Sequence, residues 1–115
     1  MNVNSTWHPD YEYEIAHARL ARQNGNEGMA RVCARRAAGI LIGEYLYRRG
    51  FVNIGTSAYD RLAVFDSLPD VDEELKTVSK HFLLKVDAQH NLPVEVDLVV
   101  EAEWLAEKLL LEITD

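Results

Sequence analysis

The 115-residue chain has little of three features that assign a protein to a class: cysteine, proline and long apolar runs. Its one cysteine, Cys33, cannot form an internal disulfide, and no CxxC pattern typical of a zinc site is present. The longest run of apolar residues and glycine, 37–43, has seven residues, whereas a helix that crosses a bilayer needs about 20. Met1–Asn4 has neither the basic nor the apolar region of a signal peptide. We therefore expect a soluble, cytoplasmic protein with no membrane contact.

Arginine is missing from the second half of the chain. All eight arginines lie between Arg19 and Arg61, so residues 1–61 carry a net charge of +2. Residues 62–115 have four lysines and thirteen carboxylates, a net charge of −9, and the whole chain carries −7. Such asymmetry indicates either a basic binding face beside an acidic one or a helix face rich in arginine that only meets solvent.

Apolar residues recur at spacings of three and four in five segments, which predicts five helices. The long central one begins at the N-cap Asn26 and ends near Arg49, before Gly50. Ser57 is the expected cap of the third helix, and Asp70, with Glu73 in a capping box, that of the fourth. The predicted helices are 9–23, 26–49, 58–67, 71–86 and 93–113. Because the connections are short, we predict one all-α domain over residues 1–115, an up-and-down bundle of four or five helices. An α+β fold with a short hairpin is the alternative, but it lacks a second convincing strand.

Two glycines, Gly39 and Gly43, lie four residues apart inside the central helix, beside Ile40 and Ile42. A glycine in a helix interior costs about 1 kcal/mol relative to alanine, so the pair predicts close approach of another helix. The central helix is apolar nearly all the way round at this point and must be covered on every side. The cover comes either from the same chain or from a second copy, and we expect a homodimer.

Metal and covalent chemistry find little support in the sequence. A di-iron bundle needs two Glu-x-x-His motifs and two further glutamates, but Glu14 and His17 form the only such pair on a predicted helix. Cys33 lies on an apolar helix face, where a cysteine usually acts as a small hydrophobic residue. No nucleophile elbow, Walker-type loop or GxGxxG fingerprint is present. We therefore predict neither a metal site nor a cofactor.

The arginines of the central helix are the strongest candidates for ligand binding. Arg31, Arg35 and Arg36 lie close together in helical spacing, and Arg19 and Arg22 of the first helix are expected to approach them. Guanidinium groups bind phosphate bidentately, so the cluster predicts a nucleotide or RNA backbone as ligand. In the alternative interpretation these arginines pair with carboxylates of the fourth and fifth helices.

The order of these segments resembles the HEPN (higher eukaryotes and prokaryotes nucleotide-binding) domain family over about residues 10–112. The resemblance implies a HEPN-like helical bundle. It rests on the middle of the long helix, on the short acidic helix after it, on a helix that ends near a proline turn and on a last helix with alanines four apart. The matching segments are 35–46, 57–68, 82–93 and 102–107.

The departures from the family pattern bear on activity. Gly39 and Gly43 stand where the family often has Glu and Lys. Ribonuclease members carry Arg-x(4–6)-His, and here no arginine precedes a histidine at that spacing. The nearest equivalents begin with lysine, which does not replace arginine in bidentate phosphate contact. They are Lys76 with His81 and Lys85 with His90.

The resemblance therefore implies a non-catalytic module that binds a nucleotide, RNA or a protein partner. The partner it implies is a nucleotidyltransferase-like protein, in a toxin–antitoxin or regulatory pair. Two alternatives stay open. One is a divergent ribonuclease that uses His81 or His90 with Lys76 or Lys85 beside it. The other is a structural dimeric adaptor bundle without a small ligand.

Overall fold

A computed structural model describes residues 7–113 of the chain, with side chains as far as Leu109. These residues form five α-helices and no strand, which confirms the predicted all-α class. The helices are α1 (Trp7–Gln23), α2 (Glu27–Arg48), α3 (Ala58–Ser67), α4 (Glu73–His81) and α5 (Leu98–Ile113). Within the described part, no helix has both the length and the apolar character that crossing a bilayer requires. Met1–Asn4, for which we predict no signal peptide, lies outside the described residues.

The long helix α2 is the centre of the fold, because α1, α3 and α5 all pack against it. Four of its buried residues are alanines without exposed surface, at positions 30, 34, 37 and 38. Small side chains let a neighbouring helix approach closely, and α1 makes its main contact with α2. Larger residues of α2, including Leu41, Ile42 and Leu46, complete a core with Phe65, Phe82 and the apolar face of α5.

Local capping signals place both ends of α2 as predicted. Asn26 accepts a hydrogen bond from the Met29 backbone N–H at 3.0 Å. At the other end, Gly50 has a φ of 88°, and the backbone N–H of Phe51 donates to the Leu46 carbonyl at 3.0 Å. This is a Schellman motif, which needs a left-handed residue that glycine supplies without strain. The third helix also begins after its predicted cap, since Ser57 accepts from the Asp60 N–H.

The fourth helix is shorter than predicted at both ends. Its cap is Asp72, which accepts from the Glu74 N–H at 2.8 Å, so the predicted cap at Asp70 and its capping box are wrong. The helix ends at His81 rather than near residue 86. A tight turn follows, in which the Asp87 carboxylate accepts from the backbone N–H groups of Gln89 and Asn91, both at 2.9 Å. Such local bonds compete with the helix ladder.

The fifth helix begins at Leu98 and not at Pro93. Asp97 explains the difference, because its Oδ1 accepts hydrogen bonds from the N–H groups of Val99 at 3.0 Å and Val100 at 3.2 Å. The same carboxylate pairs with Arg22 of α1 through two hydrogen bonds of 3.0 and 3.2 Å. Burial acts to raise the pKa of Asp97, but the bonds from Arg22 and from the two N–H groups outweigh it and hold that pKa below its ordinary value.

We expect Asp97→Ala to lower the free energy of unfolding by about 1–2 kcal/mol at pH 7, since a lost cap costs about that much and a half-exposed ion pair adds little. A lowered folded-state pKa stabilises the fold at pH values above the ordinary carboxylate pKa of 3.8. This stabilisation is lost as the pH falls through the folded-state pKa. Urea unfolding at pH 7 and at pH about 2.5 measures both effects. The two proteins should differ at pH 7 and converge in acid, whereas exposed Glu95→Ala should match the wild type throughout.

Gly39 and Gly43 of α2 face α3 of the same chain. A Cβ atom at Gly39 would lie 2.7 Å from the Ala58 Cβ and 2.8 Å from its Cα. A Cβ atom at Gly43 would lie 2.6 Å from a guanidinium nitrogen of Arg61. The close helix approach that the glycines predict is therefore made within the chain. Ile42 is fully buried and Ile40 half-buried, so α3 of the same chain covers much of this face.

Candidate functional site

The eight arginines fall into two groups of four. One group forms ion pairs with carboxylates: Arg19 with Glu103, Arg22 with Glu27 and Asp97, Arg48 with Glu44, and Arg49 with Asp70. The other group forms no ion pair with the side chains that the structure describes, those of residues 7–109. Its members are Arg31, Arg35, Arg36 and Arg61.

Two members of the second group, Arg31 and Arg35, lie in one groove between α2, the first turn of α3 and the segment after α4. We call it the basic groove. Its charged lining is completed by Lys85 and His90, and it encloses about 360 Å³ without a carboxylate in its wall. Apolar side chains form the remainder of the surface. A chain of net charge −7 thus concentrates two guanidinium groups, an ammonium group and an imidazole in one concave site.

Backbone carbonyls hold both guanidinium groups in place. Arg31 donates from Nη1 to the His90 carbonyl, and Arg35 donates from Nε to the Phe82 carbonyl, each at 2.7 Å. The Arg35 guanidinium also lies 5.0 Å from the ring centroid of Tyr59, within cation–π range. A guanidinium has five N–H donors, so each carbonyl bond leaves further donors to an anion. Both carbonyl acceptors are neutral, and the Arg31 charge also helps to lower the pKa of Glu27, after the hydrogen bond from Arg22.

The two other basic residues of the groove, Lys85 and His90, belong to the segment after α4. The backbone N–H of Asp87 donates to the Asn91 carbonyl at 2.8 Å, and that of His90 donates to the Asp87 carbonyl at 2.9 Å. His90 itself has a φ of 64°, in the left-handed region. The turn reverses the chain, so that Lys85 and His90 line the same groove. An ordered turn of this kind presents both side chains without the cost of ordering a loose loop on binding.

The other predicted phosphate ligands lie elsewhere. Arg19 forms an ion pair with Glu103 of α5 and Arg22 with Asp97, the residue that caps α5, as the alternative interpretation expects. Hydrogen bonds from Arg22 lower the pKa of Glu27 below its ordinary value. Arg36 points away from the basic groove and lines two other cavities together with Glu14. The five predicted arginines therefore do not form one cluster, and two of them, Arg31 and Arg35, reach the basic groove.

The four candidate catalytic residues are also divided. Lys85 and His90 line the basic groove. His81 instead pairs with Glu101 of α5, its Nδ1 lying 2.8 Å from a carboxylate oxygen, and Lys76 is not part of the groove lining. Sequence reasoning missed Tyr59 of the third helix, whose ring lies beside the Arg35 guanidinium. No local signal identifies its role, because Arg35 reaches it from another helix.

A second concave site, the α1–α2 groove, encloses about 430 Å³. α1 contributes Tyr13, Glu14 and Leu20 to its lining, and α2 contributes Met29, Cys33 and Arg36. The pair Glu14 and His17 also lies here, and His17 donates a 2.9 Å hydrogen bond from Nδ1 to the Tyr13 carbonyl. Among the described side chains, which end at Leu109, no three His, Cys, Asp or Glu residues are grouped as a metal site would require.

Cys33 is 4% exposed, and its pKa is raised first by burial and then by the charge of Glu14. Because the thiolate is the reactive form, a raised pKa lowers reactivity at neutral pH. We expect alkylation by iodoacetamide at pH 8 to be at least about tenfold slower in the folded protein than in urea. Mass spectrometry over time measures both rates, and equal rates would contradict the structural role assigned to this thiol.

Comparison with protein-family models, with curated proteins and with solved structures finds no match to this chain.

Proposed function

We propose that the chain is a non-catalytic, HEPN-like module that binds phosphate groups of a nucleotide or an RNA in the basic groove. One observation carries the proposal. Four arginines are neutralised by carboxylates, whereas Arg31 and Arg35 are held by carbonyls beside Lys85 and His90, in a wall without a carboxylate. A site with uncompensated positive charge favours an anion, and planar guanidinium groups favour phosphate.

Direct titration tests the proposal. Fluorescently labelled ATP and a labelled single-stranded RNA of about ten nucleotides would be titrated at about 20 mM and 200 mM salt, since phosphate binding weakens with salt. We expect saturable binding of at least one probe at low salt, with dissociation constants near the 10⁻⁴–10⁻⁶ M typical of non-specific phosphate contacts. No binding of either probe at low salt would remove this function.

The resemblance, rather than the groove, supports the cellular setting that we propose. The module acts in the cytoplasm and pairs with a nucleotidyltransferase-like protein, in a toxin–antitoxin or regulatory unit. A neighbouring gene that encodes such a protein, and its co-purification with this chain, would support the pairing. A stable complex would then be tested for phosphate binding, to learn whether the partner covers the basic groove.

A second candidate, RNA cleavage, is favoured by the position of His90. The chain lacks an Arg-x(4–6)-His motif, yet tertiary structure places His90 and Lys85 in one groove with Arg31 and Arg35. An imidazole beside groups that bind phosphate can accept the proton of a ribose 2′-hydroxyl. An RNA cleavage assay that compares wild type, His90→Ala and the control His8→Ala decides the matter. Cleavage lost in His90→Ala alone supports catalysis, and equal traces in all three proteins exclude that role.

A further inference from the structure

The basic groove has an apolar wall that phosphate binding alone does not require. Half of the ten residues that line it are apolar or aromatic: Val32, Tyr59, Leu84, Val86 and Leu92. Phosphate is bound by positive charge and by hydrogen-bond donors, and the four aliphatic side chains supply neither. Tyr59 is 49% exposed and Val86 42%, so a ligand in the groove can contact both. The lining therefore fits a ligand that joins an anionic group to an apolar one.

Tyr59 differs from the other exposed tyrosines of the described residues in its surroundings. Tyr13 and Tyr47 are exposed as well, but neither lines the basic groove. The guanidinium carbon of Arg35 lies over the Tyr59 ring, 5.0 Å from its centroid. This contact fixes the ring at the wall of the groove, while the exposed part of the ring is accessible to a second planar group. Aromatic rings beside positive charge are the means by which many proteins hold single-stranded nucleic acid.

A nucleobase is the apolar group that this wall fits best. Every base has a π-face, so a base of any identity gains affinity by stacking on an aromatic ring. An aliphatic chain would also cover Val86 and Leu92, but it has no planar face to match the ring that Arg35 holds. The groove encloses about 360 Å³, at the lower end of the roughly 300–1,000 Å³ of ligand sites. That space suits one nucleotide unit rather than a nucleic-acid helix.

We propose that the basic groove binds a nucleotide unit whose base is unpaired, with the base stacked on Tyr59 and the phosphate held by Arg31 and Lys85. This base subsite rests on the phosphate binding proposed as the function and names the ligand more closely. Arg35 joins the two parts, since its guanidinium lies over the Tyr59 ring and keeps further donors for the phosphate. The subsite accepts a free nucleotide or a single strand, and it excludes a duplex, whose bases are already stacked on each other.

Two matched pairs of probes test the base subsite by isothermal titration calorimetry. ATP is compared with inorganic tripolyphosphate, which has the same number of phosphate groups and no base. A single-stranded RNA of about ten nucleotides is compared with its duplex, which has the higher charge density. In the pair that holds the true ligand, we expect the probe with a free base to bind about tenfold tighter or more. Charge alone predicts the opposite order for the RNA pair.

Three variants locate the subsite at the ring. Tyr59→Leu keeps an apolar side chain but removes the aromatic face, so binding of the probe with a free base should weaken about tenfold or more. Its affinity for tripolyphosphate should not change. Tyr59→Phe keeps the ring and should match the wild type. Tyr47→Leu makes the same change at an exposed tyrosine outside the groove and should also have no effect. Circular dichroism melting confirms that each variant is folded.

Several results would overturn the base subsite while phosphate binding stands. One is wild-type protein that binds both members of each pair equally. Another is an equal loss of ATP and tripolyphosphate binding in Tyr59→Leu, which would mean that the ring acts only by holding Arg35. Dodecyl phosphate that binds tighter than ATP, with an affinity that Tyr59→Leu leaves unchanged, would assign the apolar wall to an acyl chain. If no probe binds, tripolyphosphate included, the proposed function itself fails and the base subsite with it.

Discussion

Replacing Arg31 and Arg35 together by glutamine is expected to weaken the binding of a short RNA at least about a hundredfold, because a hydrogen bond to a charged group contributes about 1.5–3 kcal/mol. Glutamine keeps some donors but loses the positive charge and the planar fork that matches phosphate. Fluorescence anisotropy over a range of salt concentrations measures the loss. Each phosphate contact on a single strand contributes about 0.7 to the slope of the log association constant against log salt concentration. Loss of two contacts should therefore make that slope shallower by about 1.4.

Arg19→Gln is the matched control, because it makes the same change at an arginine that pairs with Glu103 of α5 and does not line the basic groove. It should leave both affinity and salt dependence near the wild-type values. The variant Arg31→Lys with Arg35→Lys separates charge from geometry. It should keep the salt slope while losing affinity, since lysine acts as a point charge. Binding that the glutamine variant retains in full would place the ligand outside the basic groove.

Gly39→Ala is expected to lower the free energy of unfolding by about 2 kcal/mol or more, the range of substitutions that overpack a core. The new methyl group would lie 2.7 Å from the Ala58 Cβ and 2.8 Å from its Cα, so the start of α3 must move away from α2. The better helix propensity of alanine offsets only about 1 kcal/mol of this loss. Thermal unfolding by circular dichroism should show a melting temperature lower by about 8 °C or more.

Two other glycines of α2 calibrate that result. A Cβ atom at Gly28 meets nothing closer than the Asn26 side-chain oxygen at 3.8 Å, so Gly28→Ala should be neutral or stabilising by up to about 1 kcal/mol. A Cβ atom at Gly43 meets the flexible Arg61 side chain, which can move, so Gly43→Ala should fall between the two. Equal stability of all three variants would contradict the close contact between Gly39 and Ala58 of α3.

Residue type and local order were sufficient to predict the all-α class and the bounds of α2 and α3. The capping bonds at Asn26, Gly50 and Ser57 involve backbone groups only a few residues away. Their roles can therefore be predicted from the sequence. The ends of α4 and the start of α5 were not predicted correctly. At the start of α4 two carboxylates are near the helix end, and Asp72 rather than Asp70 is the cap. The cap of α5, Asp97, also pairs with Arg22 of a distant helix.

The candidate site depends on contacts between remote segments. The sequence shows that eight arginines lie in its first half, but it does not show which of them carboxylates neutralise. His90 accepts from Arg31 across 59 positions, and Arg35 reaches Phe82 across 47. Ion pairs and carbonyl contacts of this kind form only when packing of α2 against its neighbours sets the distances. Local capping thus specified the long central helix. Its packing against the other helices decided that Arg31 and Arg35 line the basic groove without an ion-pair partner.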